Sequence, residues 1–405
     1  MHASKAQISL LFLILLMLGE GSAVAASPLV YVANNGTDGS ACGAQSKPCR
    51  SITRAIANAA NGSIVVVGPG RYGDLNGDGK FDAPGEEQPQ NRDYQPPSGG
   101  PPLQLNCVIC ILKPIQLVST YGAEATVIDG GNAPYNVVEI VARSVSFGDV
   151  GKGFSLIHAG EGGDGLYLLA GPARIKGNIA TANAGCGFDL VPGGEGFYGL
   201  PSNPLGGDVT AGNNTAMANG CGFRLISYSA KLQVSNAVSI ANTGLGMILE
   251  GNGANGVTAS RVTGNGLGIV TSGGPFQLTH NIVAGNDTFG VSFGDRLELD
   301  KAITTLSLND IVGNAVGIEV HYSTAGLRVT RNNLYGNGTD GSNCAITVEQ
   351  NSADARNNYW GAPTGPGPDP ADQVGQEPLC NGTIPNNDAG LPVTVPFSKD
   401  PFPIN

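Results

Sequence analysis

Between residues 165 and 317 a glycine returns at intervals inside a short apolar run. DGLYL, CGFDL, CGFRL, LGMIL, LGIVT, FGVSF and VGIEV carry it at 165, 187, 222, 246, 268, 290 and 317. The steps are 22, 35, 24, 22, 22 and 27, a basal unit of 22 with insertions of variable length. A recurring step of this size marks a solenoid, whose units bury their apolar sides only against their neighbours. Upstream of most of these glycines stands an asparagine (Asn183, Asn219, Asn242, Asn265, Asn286, Asn314 and, one unit later, Asn337), and a second series lies five residues earlier at Asn178, Asn214, Asn281, Asn309 and Asn332. Asparagine tolerates left-handed turns, and stacked amides bond from one unit to the next. Each unit holds short alternating runs such as FQLTH and LRVTR and no helical face. The unit is therefore a coil of short strands, each pairing in parallel with its copy one coil away at about 4.8 Å.

Composition fits that reading. Charged residues are 13% of the chain and glycine is 62 of 405, too much glycine for helices and too much aliphatic residue for disorder. Residues 1–26 read as a cleavable signal peptide: Lys5, the apolar run Leu10 to Leu18, then SAVAAS. The mature chain is thus expected to be secreted, extracellular or periplasmic, with no membrane span. A net charge of −11 makes nucleic acid a poor partner and repels acidic polysaccharide unless a cation or a basic strip intervenes. Eight cysteines in an exported chain indicate disulfides. Cys42 and Cys49 bracket a short loop and are expected to pair. Cys107-Val-Ile-Cys110 has redox spacing, but in a regular strand i and i+3 point to opposite faces, so no redox role is expected.

Three stretches resemble the right-handed parallel β-helix proteins of the pectate-lyase-like superfamily: YVANNGTDGSACGAQSKPCRSITRAIANAANGSIVVVGPGRY (Tyr31 to Tyr72), KPIQLVSTYGAEATVIDGG, and NNYWGAPTGPGPDP (Asn357 to Pro370). With the Asn/Gly repeats between them, the resemblance covers nearly the whole mature chain. It implies an all-β, right-handed parallel β-helix over 27–361 with a short capping helix near 51–60, an inserted loop at 73–104, and a Pro-rich tail, 362–405, that packs on or caps the stack. Lyases, hydrolases, epimerases, adhesins and non-catalytic scaffolds share this architecture. The paired aspartates and Gly-His-Gly of the polygalacturonases are absent, as is the Asp-Pro-His-Asp of the alginate epimerases. Cys186 and Cys221 each precede a repeat glycine, which places them on adjacent coils at disulfide spacing; Cys344 and Cys380, left over, tie the tail to the last coil.

The register sorts side chains by face. The first and third residues after each repeat glycine are apolar and point inward, so the second forms an outward column: Tyr167, Asp189, Arg224, Ile248, Val270, Ser292 and Glu319. Aliphatic in its middle, this face is expected to lie under an insertion or to form a contact surface. The strand before the asparagines differs. Its outward columns run Arg174, Thr210, Gln233, Gly256, Gln277, Thr305, Arg328 and Lys176, Gly212, Ser235, Thr258, Thr279, Ser307, Thr330. Such a strip suits an extended glycan and tolerates its negative charge, with Arg174, Lys176, Gln233, Gln277 and Arg328 as contacts; hydroxyls and amides are also ordinary residues for the wet side of a strand.

Two further clusters carry chemistry. GDLNGDGKFD places Asp74, Asn76, Asp78, the Lys80 carbonyl and Asp82 at the first nine positions of a calcium loop, with Gly79 at the turn, although Gly85 stands where a bidentate Glu is expected and Glu86 or Glu87 has to substitute. The same residues also favour a metal-free turn. His321, with Glu319 two positions earlier and Asp295 near the adjacent coil, is a candidate base. Two functions compete: a binder of polysaccharide or another cell-envelope component along the polar strip, which lacks need of any catalytic motif, and a polysaccharide lyase or glycoside hydrolase.

Overall fold

The computed structural model describes residues 27–96, 102–193, 205–294, 303–322, 326–338, 343–350, 353–376, 380 and 392–404. The signal-peptide stretch and Asp295 lie outside them. Among the described residues the chain forms a right-handed parallel β-helix of three sheets with eleven, ten and twelve strands. One coil shows the path: Ala173–Lys176 lies in the first sheet, Ile179–Thr181 in the second, Cys186–Leu190 in the third, and Val209–Gly212 pairs in register with Ala173–Lys176. Pairing is parallel except where Gln90–Tyr94, in the inserted segment, runs antiparallel to Leu103–Ile111 at the edge of the third sheet.

Both corners of the second sheet are built by the asparagines, with a division of labour that differs from expectation. The left-handed residue is the one before each ladder position, which is an asparagine everywhere but at Ala237 and Ser260: Gly177, Asn213, Asn236, Ala259, His280, Leu308 and Arg331 at one corner, with φ between 50 and 68°, and Ala182, Ala218, Ala241, Gly264, Gly285, Gly313 and Gly336 at the other. The asparagine itself is buried and bonds along the axis. Asn242 donates from its backbone N–H (3.1 Å) and its amide (2.8 Å) to Oδ1 of Asn265, which repeats this toward Asn286. Seven asparagines, from Asn183 to Asn337, form this ladder, and Asp372 ends it by accepting both Asn337 donors. At the other corner the ladder is interrupted at Ala237 and Ser260, where the Ser260 hydroxyl takes the Ala237 N–H at 3.1 Å.

The repeat glycine answers to space rather than to φ. A β-carbon at Gly246 would stand 2.8 Å from the Asn265 amide nitrogen and from the Gly268 carbonyl oxygen. The chain turns here with two consecutive residues facing inward, the glycine and its apolar successor.

The ends are closed differently. At the first coils Ile52–Asn58 is the one helix among the described residues; Ser51 caps it, and the buried Glu87 carboxylate accepts the Ile52 (2.6 Å) and Thr53 (2.9 Å) N–H groups, where a helix start favours an anion. At the other end Gln373–Gln376 extends the third sheet past residue 361, Trp360 is fully buried, Phe397 packs against the core, and Asn333 exchanges two bonds with the Phe402 backbone. The pairs Cys42–Cys49, Cys186–Cys221 and Cys344–Cys380 are disulfides, with Cys186 and Cys221 directly paired across adjacent strands.

Candidate functional site

Cys107 and Cys110 are also bonded, against expectation. The reason is the inward pair at the corner: Val108 and Ile109 both enter the main core, as do Val137 and Val138 one coil on. The residues flanking such a pair, three apart, therefore share the outer face. That face is covered at this end. Leu105, the two cysteines, Val141 and Leu169 form a second buried cluster, with Tyr94 and Tyr167 against it.

Beneath this cover lies Glu139, in register between Cys110 and Tyr167 and 1% exposed. Its Oε2 accepts the Asn106 N–H at 3.0 Å; its Oε1 has no hydrogen-bond partner among the described residues. Burial pushes its carboxyl above the usual range, against the bonds from Asn106 and Asn136. A carboxyl raised in the folded state stabilises fully below its unfolded pKa, and that contribution is lost as pH rises through the folded value. Glu139→Gln is therefore expected to match wild type in acid and to exceed its stability at mildly alkaline pH. Denaturant titrations of both chains across the pH range check this; equal pH dependence would show Glu139 to be solvated. Further along, Asp189 is buried and pairs with Arg224 of the next coil at 2.9 Å.

At the far end of the same face His321 and Glu319 come together, Nε2 to Oε2 at 2.8 Å, and Glu349, one coil on, faces Nδ1 at 3.0 Å. Ser292 Oγ donates to Glu319 Oε2 at 2.9 Å. Both imidazole nitrogens meet carboxylates, and with the Ser292 bond the arrangement ties three coils together. A second His–carboxylate pair escaped the sequence reading. Asp129, fully buried, holds Arg71 Nη2 at 2.6 Å and His158 Nδ1 at 3.1 Å.

Arg71 Nε also bonds the Asp74 carbonyl, which brings the calcium-like loop onto this cluster. Asp74 is buried, and its two carboxylate oxygens accept the Gly77 (2.7 Å) and Gly79 (2.8 Å) N–H groups; Asn76 and Asp78 accept the N–H groups of Asp78 and Lys80. The carboxylates of Asp74, Asp78 and Asp82 are not all within 4.8 Å of one another. Of the residues expected to complete the loop, Glu86 closes it through the Leu75 and Ala83 N–H groups, and Glu87 is committed to the helix.

The first sheet is the open one. Its pairing register aligns Arg174, Thr210, Gln233, Gly256, Gln277, Thr305 and Arg328 in one outward column and Lys176, Gly212, Ser235, Thr258, Thr279, Ser307 and Thr330 in the other. Thr279 donates to Thr258 at 3.2 Å, and Gln233 to the Ala254 carbonyl at 2.9 Å. Beyond Arg328 the first column continues to Asp354, which Arg356 holds in a bidentate pair; that bonding keeps the Asp354 carboxyl below its ordinary range.

Comparison with solved structures matches this arrangement to a rhamnogalacturonan lyase, at 12% identity and a TM-score of 0.51 over 86% of this chain and 84% of that one. The shared fold is the right-handed parallel β-helix. Other matches to this β-helix are the Azotobacter vinelandii mannuronan C-5 epimerase AlgE6 A-module (14% identity, TM-score 0.49, 85% of this chain and 94% of that one) and pectate lyase Pel9A (15%, 0.38, 94% and 82%). At such identities the likeness is one of fold. A family described as "Protein of unknown function (DUF1565)" matches residues 34–81, which hold the capping helix and most of the loop. No curated protein matches the sequence. No helix among the described residues is long and apolar enough to cross a membrane.

Proposed function

We propose that this chain is an exported β-helix that binds polysaccharide lengthwise along the outer face of its first sheet. The observation that carries the reading is an absence of carboxylates: in a chain with 32 acidic residues, neither outward column holds one over the seven coils from Arg174 to Arg328. Those coils span about 29 Å at about 4.8 Å each. Gln233, Gln277 and the hydroxyls offer donors and acceptors to sugar hydroxyls, while Arg174, Lys176 and Arg328 attract acidic groups at the two ends.

Titration against a panel of acidic and neutral polysaccharides tests this. The triple variant Arg174→Ala, Lys176→Ala, Arg328→Ala is expected to bind an acidic polysaccharide at least about tenfold more weakly and to melt as wild type does. Binding to none of the panel, or undiminished binding by the triple variant, would remove the proposal. The competing reading, a lyase or glycoside hydrolase, rests on the fold and on the buried Glu139 near Tyr167 and the Asp189–Arg224 pair. It is scored in the same incubations by reducing ends and by absorbance of unsaturated products.

Calcium belongs to this proposal as a structural ion. Asp74, Asn76, Asp78 and Asp82 with the Lys80 carbonyl would hold it, and what supports the assignment is a loop already folded about the buried Asp74. An ion bound only to the folded chain stabilises it by about 2.7 kcal/mol at a hundredfold excess over its dissociation constant. A chelator is therefore expected to lower Tm and to expose residues 73–96 to protease, and Asp78→Ala to abolish the chelator's effect. An unchanged Tm would leave Glu86, Glu87 and the amide bonds as the loop's whole anchor.

A further inference from the structure

The second sheet has an outer face that neither reading uses. Each of its strands presents its first and third residues outward, in register from Ser155–Ile157 to Asn333–Tyr335. Those side chains are mainly Ile, Val, Met, Ala and Thr and, apart from Asn333, which is buried against the Phe402 backbone, are half-buried or exposed, Met217 at 41% and Tyr335 at 40%. From Ser155 to Tyr335 the charged ones are Arg261 and Asp310. A contiguous apolar face of this kind marks an interaction surface. Asparagine ladders run along both of its borders, one of them interrupted at Ala237 and Ser260.

The order of residues along the face is palindromic in chemistry. With the coils reversed about Val238–Ile240, Val238 and Ile240 each meet their own copy, Ile179 meets Ile282, and Ile157 meets Val312. The polar residues fall together as well: Thr215 meets Arg261, and Ser155 meets Asp310. Moving the centre by half a coil one way sets Ile179 against Arg261 and Val127 against Asp310; moving it the other way sets Val238 against Arg261 and Ile179 against Asp310. Either shift strands a charge on an aliphatic side chain.

We propose that the occupant of this face is a second copy of the chain, docked antiparallel about a two-fold axis along the strand Val238–Ile240. Such an isologous contact closes on itself and leaves the first sheet of each copy open, so it stands independently of glycan binding. Seven strands overlap, from Ser155–Ile157 to Asp310–Val312, a length of about 29 Å; with a width of about 15 Å each copy contributes roughly 430 Å², the scale of weak, transient interfaces. The dimer is therefore weak, forms toward the upper micromolar range and dissociates on dilution.

Sedimentation of the mature chain over a concentration series measures this. Wild type is expected to show a monomer–dimer equilibrium, Ile240→Asp to raise its dissociation constant at least about tenfold, and Lys231→Glu, on a different corner, to leave it unchanged, all three melting alike. Val238→Lys serves as a second disruptive change. Under oxidation Ile240→Cys is expected to cross-link to itself, whereas Ile179→Cys cross-links only when mixed with Ile282→Cys. A wild-type chain that stays monomeric to about 500 µM, an Ile240→Asp variant that dimerises as wild type does, or failure of Ile240→Cys to cross-link would each overturn the proposal.

Discussion

Asn265→Ala is expected to lower unfolding free energy by about 3–5 kcal/mol, because it strands two buried donors at about 1–3 kcal/mol each and leaves a small cavity. The donors are the backbone N–H and the amide of Asn242, both bonded to Asn265 Oδ1; in addition the Ser239 carbonyl loses its 3.2 Å bond and Asn286 Oδ1 loses one of two donors. No water reaches this column, since Asn242, Asn265 and Asn286 are each at most 2% exposed. Asn265→Ser should cost less, as the other ladder uses the Ser260 hydroxyl to accept the Ala237 N–H. Guanidinium unfolding of the three chains gives the ranking. A loss below about 1 kcal/mol for the alanine variant would mean that the ladder records the register without holding it.

Replacing both Cys186 and Cys221 with serine is the second large effect. Their bridge closes a segment with a sequence separation of 35, against 3 for Cys107–Cys110. Constraint of the unfolded chain scales with the logarithm of that length, giving about 4 kcal/mol for the first and about 2 kcal/mol for the second. The double serine variant at 186 and 221 should therefore lose roughly twice as much midpoint stability as the one at 107 and 110. The reverse order would point to residual structure in the unfolded state or to relief of local packing.

The coil stack was legible because its signal is redundant: the glycine step, two asparagine series and the Cys186/Cys221 match all report one register, and the pairing of Cys186 with Cys221 agrees with it. What escaped follows from the corner. Strict alternation holds within the short strands but fails where a repeat glycine and its successor both turn inward, so Cys107 and Cys110 appeared to face apart. Glu139 was missed because NVVEIV precedes the first repeat glycine and its column had no recognised start. Glu349 was missed because it lies 28 residues beyond His321, across a coil of unusual length. The left-handed residues were hidden by their variety, since Leu308, His280 and Arg331 share no turn signature; position beside a buried amide, rather than residue type, sets their conformation.

The unequal corners also govern where the chain can grow. From Ala173–Lys176 to Leu327–Thr330 the first and second sheets are always joined by two residues, and the second and third by three or four, while the return to the first sheet ranges from two residues after Leu267–Gly273 to eighteen after Cys186–Leu190. An extra residue between a strand and the ladder asparagine that follows it would pull a buried amide out of line, whereas at the return corner it enters solvent. The rod is thus open to grafting along the return edge: foreign loops set between Leu245–Gly251 and Asn255–Thr258, and between neighbouring coils, would emerge in a single row about 4.8 Å apart, with neither amide column required to move.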